Sequence, residues 1–570
     1  MIGVIANPSD ERVVREFFEL FKTPWEYFHD DGHYDVVLCA GASTPPSVSA
    51  KLLIVYGADQ TSTDDKRHAP IAARTQSAEV SFSGAKIPLY GPVSSFARSG
   101  VSVLENELGE KIAYVTQLEN KWFARIGYDI FHEVRTLLNQ GQPAANASIP
   151  ALDLHISFLR NLITGCGLSL IEIPPVPAGY SFIACLTHDL DHASIRRHKF
   201  DATMLGFLYR ATVGSAVNVL RGRMSVRQLM TNWAAAAKLP FVYMGLVEDF
   251  WNGFDRYLEL EDGRPSTFFV IPFAGRAGEA RPEGAKTGRA PAARGAAYEI
   301  SDIAARIRRL AAAGCEIGLH GIDAWNDRGK GIEEAKRISE VSAARTNGVR
   351  MHWLYIDQDA PAILEDADFS YDSTVGYNET VGYRAGTGQI FKPLRAKRLL
   401  ELPLHVMDTA LFYPDYLGLT DDEASAWLAP FLEHAGRQGG VLTVNWHDRS
   451  IAPERLWDTF YVRLLGQLSE KGALFCTATQ AVSWFQTRRS AVFDKSDVDD
   501  SQVCVRVSAE RSDVAVGLCL RFHHPAGSPG AFLKSDVCES RYTDTIIKDR
   551  LENFVFKTIE SKTQEQVRQL

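Results

Sequence analysis

The sequence predicts a multidomain α/β protein, and three observations carry that prediction. Its 570 residues exceed what one core usually holds, so two or three domains are expected. Short apolar runs alternate with helical stretches through most of the chain, the pattern of parallel strands covered by helices. The clusters of His and Asp fall where those runs end, which in such sheets is where reactive groups gather. With 45% hydrophobic and 23% charged residues, the composition is that of an ordinary globular chain. A net charge of -9 and a pI near 6.0 argue against a general nucleic-acid binder. The 8 Cys are scattered with no C-x-x-C pair, so neither a zinc ribbon nor a disulfide framework is suggested. The opening MIGVIANPSDERVV lacks a basic stretch followed by a long apolar one. No apolar run is long enough for a membrane span, so a soluble, cytoplasmic protein without a transmembrane segment is expected.

Residues 1–150 read as an N-terminal α/β accessory domain of the flavodoxin or Rossmann kind. MIGVIANP is a buried-strand pattern, and SDERVVREFFELF begins with a Ser9/Asp10 cap and runs on at helical spacing. YDVVLCAG and KLLIVYG are further strands ending in Gly, which suggests a parallel sheet, but no G-x-G-x-x-G or P-loop is present. KIAYVTQLENKWFARIGYDIFHEVRTLLNQG reads as a strand and then a helix ended by Gly141. Residues 151–180 hold a helix and the proline-rich linker EIPPVPAGY, which cannot continue it.

The central region, 181–490, opens on YSFIACLTHDLDHAS, a buried strand followed by His188, Asp189, Asp191 and His192. STFFVIPF, GCEIGLHGID, NGVRMHWLYID, LLELPLHVMD and GGVLTVNWHD repeat the pattern. Their polar ends, including His320, Arg350, His352, Asn445, His447 and Asp448, would crown one barrel or open sheet. Period-two alternation puts Asp189 and Asp191 on one face and turns His188 away. Each cluster has a plainer reading. Asp189 or Asp191 could cap the next helix. His320 and His352 could be hydrogen-bonded core residues. His447 has Asp448 beside it as an orienter, a pairing that suits a proton-shuttling imidazole.

LTHDLD, EIGLHG, GVRMHWL, SYDSTVGY and LTVNWHD, in this order, resemble the motifs of the polysaccharide deacetylase (NodB-homology) family, over roughly 181–488. The resemblance implies a deformed (β/α) barrel and a metal-dependent hydrolase that removes N-acetyl groups from saccharides. It implies Asp189 as general base, Asp191 and His320 as metal ligands, and Arg350 as the group orienting the base. It also implies His447 as general acid, supported by Asp372. The family's second motif places another His four residues after the first, and Ala324 stands there. A three-ligand site then needs another donor. His352 is preferred, because it is two residues beyond Arg350 and shares its face, and Asp323 is the runner-up. The ion is expected to be Zn²⁺, with Co²⁺, Ni²⁺ or Fe²⁺ as alternatives. Such a site would activate water, with Asp189 taking its proton and His447 protonating the departing amine. Two other functions stay open: a catalytically weak member that binds carbohydrate or scaffolds glycan assembly, and an amidohydrolase acting on a non-sugar amide.

The insertion 193–265 is rich in aromatics and Arg. MLGFLYRATVGSAVNVLRGR within it reads as an amphipathic helix interrupted by Arg210. Phe250, Trp251, Phe254 and Tyr257 read as core before they read as a sugar-stacking surface. Gly275–Ala297 reads as a mobile loop. Arg384 and Gln389 suggest a substrate-facing loop, and Trp325 is expected to line the pocket. Residues 491–570 read as a small β-rich extension, with Val503, Val505 and Val507, then Val514, Val516 and Leu518, alternating in two strands before a terminal helix, SKTQEQVRQL. The sequence leaves oligomeric state open.

Overall fold

The computed structural model describes residues 1–41, 49–66, 69–97, 100–280, 290–499, 502–508, 516–525, 541–547 and 551–557. The chain forms two compact units, Met1–Gly179 with Ala385–Thr387 and Ser483–Leu570, and Tyr180–Arg384 with Gly388–Val482.

Among the described residues of the second unit the strands pair in parallel, as an α/β barrel requires, apart from one isolated antiparallel bridge between Phe391 and Glu401. The sheet runs in the order Leu400–Glu401, Tyr371–Asp372, Gly348–Met351, Glu316–Gly321, Thr267–Val270, Phe182–Leu190, Val441–Asn445 and Val406–Met407. The Phe182–Leu190 strand organises it. Its first half, Phe182–Cys185, pairs with Ala473–Cys476, and its second half, Thr187–Leu190, pairs with Thr267–Val270. One edge of a single strand thus serves two partners in turn, which curls the sheet into the expected deformed barrel. All nine of its residues are buried, the signature of a strand covered on both faces. Helices Arg328–Ser342 and Asp421–Gln438 help cover the sheet. The first is capped by Asp327, which accepts from Lys330 N, and the second by a Thr420/Glu423 capping box.

The first unit departs from the purely parallel sheet expected for it. Trp25–Tyr27, Ile2–Ile5, Val36–Ala40, Leu52–Tyr56 and Lys121–Ile126 lie parallel, but Lys111–Leu118, Val101–Asn106, Ala78–Phe82 and Ala85–Leu89 continue the sheet antiparallel. The reason is local. Glu119 and Asn120 both take positive φ, 49° and 65°, which makes a two-residue hairpin of what reads as a single strand. Ser9/Asp10 makes no side-chain cap, and Asp10 instead pairs with Arg135. The linker is not only a spacer. Leu170–Glu172 pairs antiparallel with Leu518–His523, which in turn pairs with Tyr542–Ile547. Val492–Asp499, Gln502–Ser508 and Leu551–Lys557 form a second antiparallel sheet. Val514 and the expected helix at 561–570 lie outside the described residues. Among the described residues no helix is long and apolar enough to cross a membrane.

Candidate active site

Strand register brings the predicted residues together. His320 and Arg350 are direct partners on neighbouring strands, Thr187 is the partner of Asn445, and Asp189 lies two residues beyond Thr187 on the same strand face. Alternation along Phe182–Leu190 acts as expected. His188 points away from the site, where Nδ1 meets the Trp446 carbonyl at 2.8 Å and Nε2 meets Glu261 at 2.7 Å. Asp189 and Asp191 point into a cavity of about 200 Å³, lined also by His320, His352, His447 and Trp353.

Asp189 is clamped on both oxygens. Arg350 Nη1 donates to Oδ1 at 2.9 Å and Asn445 Nδ2 to Oδ2 at 2.8 Å. Arg350 is itself fixed, donating to Thr187 Oγ1 at 2.8 Å, Ser373 Oγ at 2.9 Å and the Ser373 carbonyl. Burial pushes the Asp189 carboxyl up, but the Arg350 charge, together with those of His320 and His447, holds the group below the usual range.

Asp191, His320 and His352 offer three ligand atoms within 4.8 Å of one another. His320 Nε2 lies 3.2 Å, and His352 Nε2 3.5 Å, from Asp191 Oδ1. The donor set suits a divalent cation. His320 Nδ1 meets the Arg350 carbonyl at 2.9 Å, which assigns the proton to Nδ1 in the neutral ring and leaves the Nε2 lone pair facing Asp191. Asp191 Oδ1 is buried with no hydrogen-bond partner, and burial holds His352 below the usual histidine range, which favours the neutral ring that a metal ligand needs. Lone pairs that converge on an ionised carboxylate call for a cation between them, and two imidazoles with one carboxylate are a common set for Zn²⁺ and related ions.

The opposite wall holds His447. His447 Nε2 is 3.8 Å from Asp191 Oδ2, and its Nδ1 meets Asp408 Oδ1 at 2.6 Å. Asp408 also accepts the His447 backbone N–H at 2.7 Å, fixing ring and backbone together. Burial opposes the imidazolium, yet the charge and hydrogen bond of Asp408, with the Asp191 and Asp189 carboxylates, together overcome it and raise His447 to about 10. Two buried guanidiniums, Arg449 and Arg455, complete that wall, and each keeps Nε without a hydrogen-bond partner. Trp353 (φ 61°) and Leu354 (φ 52°) line the cavity in the left-handed region, which bulky side chains rarely adopt.

Several expected roles fall elsewhere. Asp372 does not touch His447. It takes a hydrogen bond from Thr374 and lies beside Glu401, its partner in register, and burial raises both carboxyls, Asp372 to about 7. Asp448 does not orient His447 either, because its oxygens accept from the backbone N–H groups of His192 and Arg449. Asp323 is drawn off by Lys330 and by the Glu279 N–H and is not among the clustered ligand atoms. Trp325 is buried in the core against Tyr355, and Trp353 lines the cavity instead. Arg384 donates to the Gly376 carbonyl and packs on Tyr377, outside the cavity lining. Trp251, Phe254 and Tyr257 are fully buried, so they are core. In the loop Gly275–Ala297, residues 281–289 lie outside the described ones, and buried Arg294 anchors the rest through the Ile322 and His352 carbonyls. Two residues that hold the site's side chains carry no role in the sequence reading, although Asn445 stands among its strand ends. Asn445 ends a recognised strand, and Asp408 ends LLELPLHVMD, so position was the only signal for either.

No protein-family model matches the chain, and no curated protein matches it. Solved structures similar to it include a Mycobacterium smegmatis protein assigned to the polysaccharide deacetylases, with 18% identity over 56% of this chain and 96% of that one, at a TM-score of 0.32. PuuE allantoinase is 15% identical over 54% of this chain and 92% of its own, at 0.31. A polysaccharide deacetylase of Bacillus cereus is 14% identical over 52% and 91%, at 0.24.

Proposed function

We propose that this chain is a metal-dependent hydrolase that removes an N-acetyl group from a saccharide. One observation supports this above the rest: a clamped carboxylate, a His–His–Asp donor set and an Asp-paired imidazolium converge on one cavity at the ends of parallel strands. Asp191, His320 and His352 would hold the ion, with Zn²⁺ as the first candidate and Co²⁺, Ni²⁺ or Fe²⁺ as alternatives. When bound, such an ion supplies Lewis-acid polarisation of the amide and a water whose pKa falls toward about 7.

The chain's own residues do the proton work. Asp189, kept ionised by Arg350, accepts a proton from the attacking water. Asn445 and Arg350 hold its two oxygens, so the carboxylate cannot rotate out of line. His447 carries its proton at neutral pH and delivers it from Nε2 to the amine as the C–N bond breaks. An amine leaves poorly as an anion, so an acid on the leaving-group side is required. Asp408 stays ionised throughout and keeps the ring aimed. The products are acetate and the free amino sugar. Six unpaired cysteines among the described residues suit a reducing compartment, so we place the protein in the cytoplasm.

The test is acetate release from N-acetylated oligosaccharides by the metal-loaded protein. Asp189→Asn and a chelator should each reduce it by about 10³-fold or more, on the scale of a lost general base. Release that survives both sinks the proposal.

A further inference from the structure

The insertion that follows the first strand has a surface the chemistry does not use. Its helices Ala202–Leu220, with a π-helical turn at Arg210–Gly214, and Val226–Tyr243 pack together, and Asn232 Nδ2 donates to Ser215 Oγ at 2.9 Å between them. Their inner faces close on Trp251 and Ala452 through Phe207, Ala211, Leu239 and Val242. Asn232 Oδ1 also accepts the Glu454 N–H and Arg210 pairs with Glu454, which pins the hairpin to the rest of its unit.

The outer faces are apolar and bare. Val226, Met230, Trp233, Ala237, Phe241 and Met244 follow one another at steps of three or four residues and are all exposed, which is one unbroken helical stripe. Leu205, Tyr209, Val213 and Leu220 make the matching stripe on the first helix, with Leu220 88% exposed. Phe200, at the hairpin's entry, is 90% exposed and held at φ 57°. An apolar face of this extent on a water-soluble surface marks an interaction site.

Charge identifies the occupant. Between residues 193 and 247 the sequence holds eight Lys or Arg and a single acid, Asp201, although the whole chain carries -9. Arg221, Arg227 and Lys238 are exposed and make no ion pair among the described residues. A basic segment in an acidic protein, edging two apolar stripes with an exposed Trp, fits the interface of an anionic bilayer: apolar side chains enter the acyl boundary and the cations meet the headgroups. We propose that this helical hairpin binds the surface of an anionic membrane, lying in its plane without crossing it. The surface is distinct from the catalytic groups, so the inference stands whether or not the proposed hydrolysis does.

Vesicle co-sedimentation of the full chain tests it, using phosphatidylcholine alone against phosphatidylcholine mixed with phosphatidylglycerol. Binding to the mixed vesicles, weakened by salt, is expected. It should fall about tenfold or more in the double variant Phe241→Asp with Met244→Asp, and likewise in the triple variant Arg221→Glu, Arg223→Glu, Arg227→Glu. These positions are exposed, so circular dichroism should be unchanged, and either variant alone decides if the other fails to fold. No sedimentation with either vesicle, or binding indifferent to both variants, overturns the proposal. A concentration-dependent dimer that the apolar variant dissolves, without vesicle binding, also overturns it and assigns the face to a second copy.

Discussion

Two buried arginine–aspartate pairs in this chain have the same contact distance and opposite meaning. In the first unit Arg125 meets Asp64 at 2.9 Å, and in the second Arg350 meets Asp189 at 2.9 Å. Around Arg125 everything is closed. Its guanidinium also donates to the carbonyls of Gly57, Asp59 and Ile126, and Asp64 takes the N–H and hydroxyl of Thr61. Around Arg350 the pair is fixed just as firmly, but beside it lies Asp191 with a buried oxygen that has no partner, facing two imidazoles. A buried ion pair is thus no sign of function in itself. The sign is unsatisfied valence next to it, in a cavity, where a bound group can complete it.

The sharpest way to break that contrast is to remove each aspartate. Asp64→Ala leaves the Arg125 charge buried without its counterion, at a cost of about 3–5 kcal/mol in stability, with a matching fall in thermal midpoint. Activity per folded molecule should be spared. Asp189→Asn keeps an acceptor for Arg350, which also retains Thr187 and Ser373, so stability should change far less while acetate release disappears. Equal melting losses in the two variants would erase the distinction.

A smaller effect separates holding a proton from holding a shape. Asp408→Asn removes the charge that keeps His447 protonated but leaves a side chain able to meet its ring. The alkaline limb of the pH–rate profile, set by a group near 10, should move to lower pH as His447 loses its proton more easily. Turnover at neutral pH should fall about 10²-fold. A profile that keeps its alkaline limb would remove His447 from the acid's role.

The sequence made the first strand legible because a period of two leaves no choice: if Asp189 faces in, Asp191 does too and His188 does not. The same logic put His352 on the face of Arg350, and its Nε2 lies 3.5 Å from Asp191 Oδ1. It could not reach Asp408, which follows a strand of only two residues, Val406–Met407, and opens the helix Asp408–Phe412, 39 positions before the histidine it pairs with. So short a strand carries no periodicity, and only the fold brings the pair together. Asp372 failed for a related reason. A two-residue strand does not declare its face, and here the carboxyl lies toward Glu401. The hairpin at Glu119–Asn120 was hidden because neither residue is glycine, although Asn tolerates positive φ. The pairing of Leu170–Glu172 with Leu518–His523 spans some 350 residues and left no local trace.

The mildest test returns to the first unit, where one carboxylate is buried without a cation. Glu133 accepts the backbone N–H groups of Tyr90 and Gly91, each at 2.8 Å, yet burial outweighs those bonds and raises it from 4.5 to about 7. Below about 4.5 the folded and unfolded chains are both protonated there, and the group adds no pH dependence. Between 4.5 and 7 the unfolded chain gives up its proton and the folded one retains it, so stability falls as pH rises, and above 7 the full difference applies. The loss is about 3 kcal/mol, at about 1.4 kcal/mol per pKa unit. Glu133→Gln carries a fixed penalty, because its amide N–H faces a backbone donor, but it has no proton to exchange. The difference in unfolding free energy between wild type and variant should therefore drift by most of that amount from pH 5 to 8, against the wild type. A constant difference across that range would mean that the two backbone donors stabilise the Glu133 carboxylate as well as Arg125 stabilises Asp64, and that burial without a cation carries no pH signature in this unit.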